Sequence, residues 1–138
     1  MLFRSGVALG FRRLAIIDLS PGGHQPMVSA DGRFVALFNG EIYNYRELKA
    51  ELLGLGHRFQ SQSDTEVMLA AVGQWGAKAA LQKLVGMFAI ALWDRETRTL
   101  TLARDRLGEK PLYTAWNNGL LLFGSELKGL REIGRAHV

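Results

Sequence analysis

Apolar positions along this chain follow two kinds of spacing. Some stretches are alternating or short and unbroken, and others repeat every three or four residues. Val7-Ala-Leu-Gly-Phe11 is short and apolar and reads as a strand. Leu14-Ala-Ile-Ile-Asp-Leu19 is an apolar run of strand length. Ser20-Pro21-Gly22-Gly23 is a turn cluster, and His24 to Met27 continue the loop. Asp31-Gly32 signals a hairpin leading into a strand over 33–38, which ends in Asn39-Gly40-Glu41. Tyr45, Leu48, Leu52 and Leu55 then recur at helical spacing, with Gly54 and Gly56 as stop signals. Residues 57–61 alternate and predict a short strand. Ser63-Asp64-Thr65-Glu66 fits a capping box, with Met68, Ala71, Val72 and Trp75 on one face of the helix it opens. A further helix over 78–84 closes at Gly86. Met87–Trp93 and Thr99–Ala103 predict one hairpin. Tyr113–Trp116 and Leu120–Phe123, around Asn117-Asn118-Gly119, predict another. A last helix starts at Ser125. Strands, then helices, then antiparallel strands argue for a layered α+β fold and against a parallel βαβ sheet.

At 138 residues the chain is one domain's worth, able to bury a core. With 48% hydrophobic and 22% charged residues it has the composition of a globular protein. No apolar run approaches a membrane span, and no signal peptide is visible. Cysteine is absent, which excludes disulfides, thiolate metal sites and a Cys nucleophile, and fits a cytoplasmic setting. His24, His57 and His137 are isolated from one another, so no metal site is suggested. Residues 1–5 and 133–138 read like translated sequencing-adapter sequence, which confines the domain to 6–132. Without Arg4 and Arg135 the net charge falls from +4 to about +2. The remaining bases are scattered, with no stripe interleaved with aromatics, so a nucleic-acid partner is not expected.

One group of residues suits a free amino acid. Arg13 offers a two-donor fork for a carboxylate, and Asp64 or Glu41 offers an anion for an ammonium. The Asn39 side-chain N–H and the Gly40 backbone N–H would make a two-donor oxyanion hole. Taken singly, each has an ordinary structural explanation. Asp64 suits a first helical turn, Asn39-Gly40 suits a turn, and Arg13 suits a surface.

Several motifs change that balance. Arg12-Arg-Leu-Ala-Ile-Ile-Asp-Leu-Ser20 is followed by Gly23-His-Gln-Pro-Met27, Phe38-Asn-Gly-Glu-Ile-Tyr-Asn-Tyr45 and Ser63-Asp-Thr-Glu66. Gly86-Met-Phe-Ala-Ile-Ala-Leu-Trp-Asp94, Arg104-Asp-Arg-Leu-Gly-Glu-Lys-Pro-Leu-Tyr113 and Ser125-Glu-Leu-Lys128 come after them. In this order they resemble the class II glutamine amidotransferase domain of glutamine-hydrolysing asparagine synthetases. The resemblance implies an N-terminal-nucleophile hydrolase fold, an αββα four-layer sandwich of two antiparallel sheets between helical layers. It implies an L-glutamine site at Arg13, Leu14, Ala15, Ile16, Ile17, Asn39, Gly40, Glu41 and Asp64, with Asn39 and Gly40 as the oxyanion hole. It also implies a terminal Cys nucleophile with its own α-amine as base. The ammonia released would pass to a C-terminal synthetase domain that uses ATP and Mg²⁺ to activate aspartate. No cofactor is expected in the stretch at hand, and a homodimer stays open.

The opening of that domain, with its Cys, is not in this sequence, and position 2 is Leu. The expectation is an N-terminally incomplete fragment that does not hydrolyse glutamine by itself. Two alternatives are an amidotransferase with another acceptor and a non-catalytic glutamine-binding module. His24 is expected to be structural or solvent-facing, and Trp75, Trp93 and Trp116 to be packing residues. Lys110 is expected near the partner domain.

Overall fold

The computed structural model describes residues 2–4, 6–11 and 24–136. Its centre is an antiparallel four-stranded sheet of β3 (Met27–Val28), β4 (Phe34–Ile42), β5 (Gly86–Asp94) and β6 (Thr99–Arg104), in that order. Both faces of β4 and β5 are covered, which is why they read as nearly unbroken apolar runs. Phe34, Ala36, Phe38, Ile42, Phe88, Ile90 and Leu92 face one side. Helices α1 (Tyr45–Gly54), α2 (Asp64–Trp75) and α3 (Ala77–Lys83) pack there through Leu48, Leu52, Val67, Met68, Val72 and Ala80. Ile42, Leu52 and Met68 are fully buried, each contributing about 1.5–3 kcal/mol by transfer from water.

Val35, Leu37, Ala91 and Trp93 face the other side. They meet a second β layer made of two hairpins, β1 (Leu2–Arg4) with β2 (Val7–Leu9) and β7 (Tyr113–Asn117) with β8 (Leu120–Gly124). Leu9 and Phe123 reach into this second core. Helix α4 (Leu127–Ala136) lies against β7 and β8, closing a helix–sheet–sheet–helix order of layers. The β7–β8 turn has Asn118 at φ 49 and Gly119 at φ 78, the left-handed pair a tight hairpin requires.

Several expectations are corrected. The strand expected to stop at Phe38 continues to Ile42, because Asn39, Gly40, Glu41 and Ile42 pair with Ala89, Phe88, Met87 and Gly86. Asn39-Gly40 is therefore strand and not turn, and Gly86 opens β5 rather than closing a helix. The loop through Met27 contains β3. Residues 57–61 form no strand, since the N–H groups of Gln60 and Ser61 donate to the Glu66 carboxylate at 2.8 Å each. That also breaks the capping box. Ser63 Oγ accepts from Thr65 N at 3.2 Å, but Glu66 is spent on the preceding loop. Trp93 is buried and Trp75 half-buried, whereas Trp116 is 73% exposed and packs into no core. The last helix begins at Leu127 and runs to Ala136, with Gly134 O accepting from Asn117 Nδ2 at 3.1 Å. The strand expected at Leu14–Leu19 and the turn at 20–23 lie outside the described residues.

The segment after β6 is held by Asp105, which is 6% exposed. Its carboxylate accepts from the N–H groups of Phe88 (3.2 Å), Leu107 (3.1 Å), Glu109 (2.9 Å) and Lys110 (3.0 Å). These donors, the Lys110 N–H foremost, hold the carboxyl at about 2 against the opposing effect of desolvation. A depressed folded value stabilises the native state above the unfolded value near 4 and ceases to do so as pH falls through about 2. Asp94, held low by the Arg33 guanidinium, works in the same direction. Asp105→Asn is therefore expected to lower the thermal midpoint by several degrees at pH 7, and the gap from the parent should narrow between pH 4 and pH 2. A gap that stays constant across that range in thermal melts would refute the account.

Candidate active site at the carboxyl end of β4

Asn39, Gly40 and Glu41 are half-buried on the last turns of the ladder. Side chains alternate along a strand, so Asn39 points toward the hairpin layer. Its Nδ2 donates to Ser125 Oγ at 3.2 Å, which among the described residues leaves one amide hydrogen over. A cavity of about 100 Å³ opens beside it, lined by Phe11, Ala89, Leu112, Phe123 and Ser125 among others.

Gly40 is glycine for a packing reason. A Cβ there would stand 2.0 Å from Met87 O and 2.7 Å from Phe88 Cα, at a φ of +154. Gly86 mirrors it, with Glu41 O 2.1 Å from its notional Cβ. The two glycines let β4 and β5 close on each other on either side of the Glu41–Met87 pair. The neighbour that the missing Cβ of Gly40 admits is β5.

The direction of the Gly40 N–H follows from the ladder. Phe88 exchanges its hydrogen bonds with Asp105 on the β6 side. Gly40 opposite Phe88 is thus a non-hydrogen-bonded pair, and its N–H and C=O point away from β5, toward the edge where β3 ends. On that edge Phe38 N and O are bonded to the Gln25 side chain at 2.6 and 2.9 Å. Ile42 N donates to Asp64 Oδ2 at 3.0 Å. Among the described residues, no side chain is bonded to the Gly40 N–H lying between them.

Asp64 is the first residue of α2 and 6% exposed. Burial raises its carboxyl above the ordinary value, helped by the charge of Glu41. N–H bonds from Ile42, Thr65 and its own backbone oppose the rise. The first-turn explanation of Asp64 therefore holds, and so does its placement beside Asn39-Gly40-Glu41. Tyr43, next along from Ile42, has its phenol pushed up by desolvation and by the charges of Glu109, Glu41 and Asp105.

Of the residues expected to bind glutamine, Asn39, Gly40, Glu41 and Asp64 come together. Arg13, Leu14, Ala15, Ile16 and Ile17 lie outside the described residues. His24 is exposed, and Lys110 is half-buried, its main chain held by Asp105 and Arg104. Gln25 and Ser125, both touching this segment, were not singled out from the sequence. Ser125 read as a helix start, and a side-chain bond across 86 residues leaves no local pattern.

The layered fold, with polar groups gathered where a central strand ends, is that of an N-terminal-nucleophile amidotransferase. The chain belongs to the glutamine amidotransferase domain family, whose model matches residues 1–137. It is 48% identical over 124 residues to the glutamine-hydrolysing asparagine synthetase 1 of Bacillus subtilis (strain 168), covering 90% of this chain and 19% of that protein. A putative glutamine-hydrolysing asparagine synthetase of Mycobacterium bovis is 47% identical over 133 residues, covering 93% of this chain and 20% of that protein. Among solved structures, the glutamine phosphoribosylpyrophosphate amidotransferase of B. subtilis, complexed with ADP and GMP, superposes with a TM-score of 0.74 at 25% identity. It covers 85% of this chain and 28% of that one. The chain thus spans about a fifth of the curated relatives it matches. Among the described residues no helix is long and apolar enough to cross a membrane.

Proposed function

We propose that this chain is the glutamine-binding portion of the glutaminase half of a glutamine-hydrolysing asparagine synthetase. The observation that carries the proposal is the meeting of Asn39-Gly40-Glu41 with the buried Asp64 at the end of β4. Asp64 and Glu41 take the α-ammonium of L-glutamine, and Arg13, with Leu14–Ile17 beside it, takes the α-carboxylate. Asn39 Nδ2 approaches from the sheet face and Gly40 N–H from the sheet edge. An oxygen at the corner where face and edge meet would receive both, which is what an oxyanion hole must do as charge develops on the acyl oxygen. The attacking group is not supplied by this sequence, which has no cysteine. In the whole enzyme the ammonia would reach a synthetase domain working on aspartate with ATP and Mg²⁺. A cytoplasmic setting and a homodimer belong to the same proposal.

A second reading keeps the site and changes the acceptor. It is favoured by the 40% identity to the amidase chry2 of Gibberella zeae over 93% of this chain.

Isothermal titration of the chain with L-glutamine tests the shared part. Saturable one-to-one binding without ammonia release is expected, with D-glutamine inert because Asp64 and Arg13 fix the α-carbon's hand. Absence of L-glutamine binding sinks the proposal, and ammonia release sinks the assignment of the nucleophile to a cysteine.

A further inference from the structure

On the open edge of β4, Gln25 stands where the ladder would have gone on. β3 pairs Met27 with Ala36 and Val28 with Val35, so the same register carried two residues upstream sets Gln25 opposite Phe38. Pro26 lies between and has no N–H to donate. Main-chain pairing stops at Met27, and the Gln25 carboxamide takes its place. Oε1 accepts from Phe38 N at 2.6 Å and Nε2 donates to Phe38 O at 2.9 Å. A carboxamide carries the same donor and acceptor as a peptide group, so it satisfies both. Four residues further along the same edge, Asp64 holds the Ile42 N–H. Gly40, whose N–H points the same way, lies midway between these two side-chain clamps.

We infer that Gln25 is a positioning residue for the Gly40 N–H donor. The inference rests on the glutamine-site reading above. Glycine has more backbone freedom than any other residue, so the Asn39–Gly40 peptide keeps one orientation only if both flanks are held. β5 holds the far side through Asn39 and Glu41, and the near side depends on Gln25 and Asp64. Of these two, Asp64 also faces the ligand's ammonium, whereas Gln25 touches backbone. Loss of Gln25 should therefore be felt by the part of the ligand that meets Gly40, the side-chain carbonyl, and not by the α-carbon groups.

The test titrates the parent chain, Gln25→Glu and Gln25→Met with L-glutamine and with L-norvaline. L-norvaline has the same α-ammonium and α-carboxylate but lacks the carboxamide. Glu at 25 can still accept from Phe38 N but opposes Phe38 O, and Met fills the space with neither bond. Both variants are expected to bind L-glutamine about tenfold more weakly and L-norvaline as the parent does, while the Gly40 amide exchanges faster with deuterium. Equal losses for both ligands would mark Gln25 as merely structural, and unchanged L-glutamine binding or Gly40 exchange would equally overturn the inference. If the parent binds no L-glutamine, the glutamine-site reading itself fails and takes this inference with it. Should Gln25→Glu not fold, the nearly isosteric Gln25→Met decides.

Discussion

Replacing Gly40 with alanine is expected to remove a large part of this domain's margin of stability. The added Cβ would sit 2.0 Å from Met87 O and 2.7 Å from Phe88 Cα, and neither neighbour is the flexible end of a side chain. Relief requires β4 and β5, the pair of described elements in most extensive contact, to part. The φ of +154 is also costly for any residue with a Cβ. A loss of about 4 kcal/mol is expected against a total of roughly 5–15 kcal/mol. With a urea dependence of about 2 kcal/mol per molar, the unfolding midpoint should fall by about 2 M. Gly86→Ala should behave alike, since its Cβ would meet Glu41 O at 2.1 Å. Gly73→Ala supplies the contrast. It lies on the exposed face of α2 with nothing within 4 Å, and should gain about 0.5–1 kcal/mol from helix propensity. A Gly40→Ala midpoint within a few tenths molar of the parent would show that the strands are not in this close contact.

Asp64→Asn is expected to separate the two roles of Asp64. An asparagine oxygen can still accept from Ile42 N, so β4 stays tied to α2. The charge disappears, and the α-ammonium of L-glutamine loses its charge-assisted partner, so affinity should drop about 30-fold. Stability should not fall with it. Burial raises the Asp64 carboxyl, so the native state holds this proton more tightly than the unfolded chain. Between the unfolded value near 4 and the raised folded value, stability drops as pH rises, and the ionised group remains a cost above both. The Asn variant removes that cost and should be at least as stable as the parent at pH 7. Asp64→Ala deletes the acceptor, strands the Ile42 N–H, and should cost about 1–3 kcal/mol. Calorimetric titration and thermal melts of both variants give the readout. An Asn variant that binds L-glutamine as the parent does would reduce Asp64 to a helix-start residue.

Much of the fold was legible because its elements carry local signatures. The continuous apolar runs of β4 and β5, the Asn118-Gly119 turn and the Ser63 cap each follow from neighbours in the chain. Errors fell where a distant group changed a local preference. Asn39-Gly40 has turn chemistry but is drawn into β4 by Gly86–Ala89. Glu66 has the spacing of a capping partner but binds the 60–61 backbone instead. Trp116 has the size of a core residue, but on β7 it is left exposed.

The candidate site divides in the same way. Asn39, Gly40, Glu41 and Asp64 were named from residue type and from the order of the motifs, because acyl-transfer chemistry needs paired donors and an anion for the ammonium. By itself the sequence determined the class of fold, the polar end of β4 and the lack of a thiol. Tertiary structure decided which way the Gly40 N–H points, that Gly40 is glycine for the sake of β5, and that Gln25, Ser125 and Asp105 hold this end of the sheet. Those outcomes depend on hydrogen bonds between residues far apart in the chain and on a backbone approach that leaves no room for a Cβ, and neither leaves a periodic trace in the order of the residues.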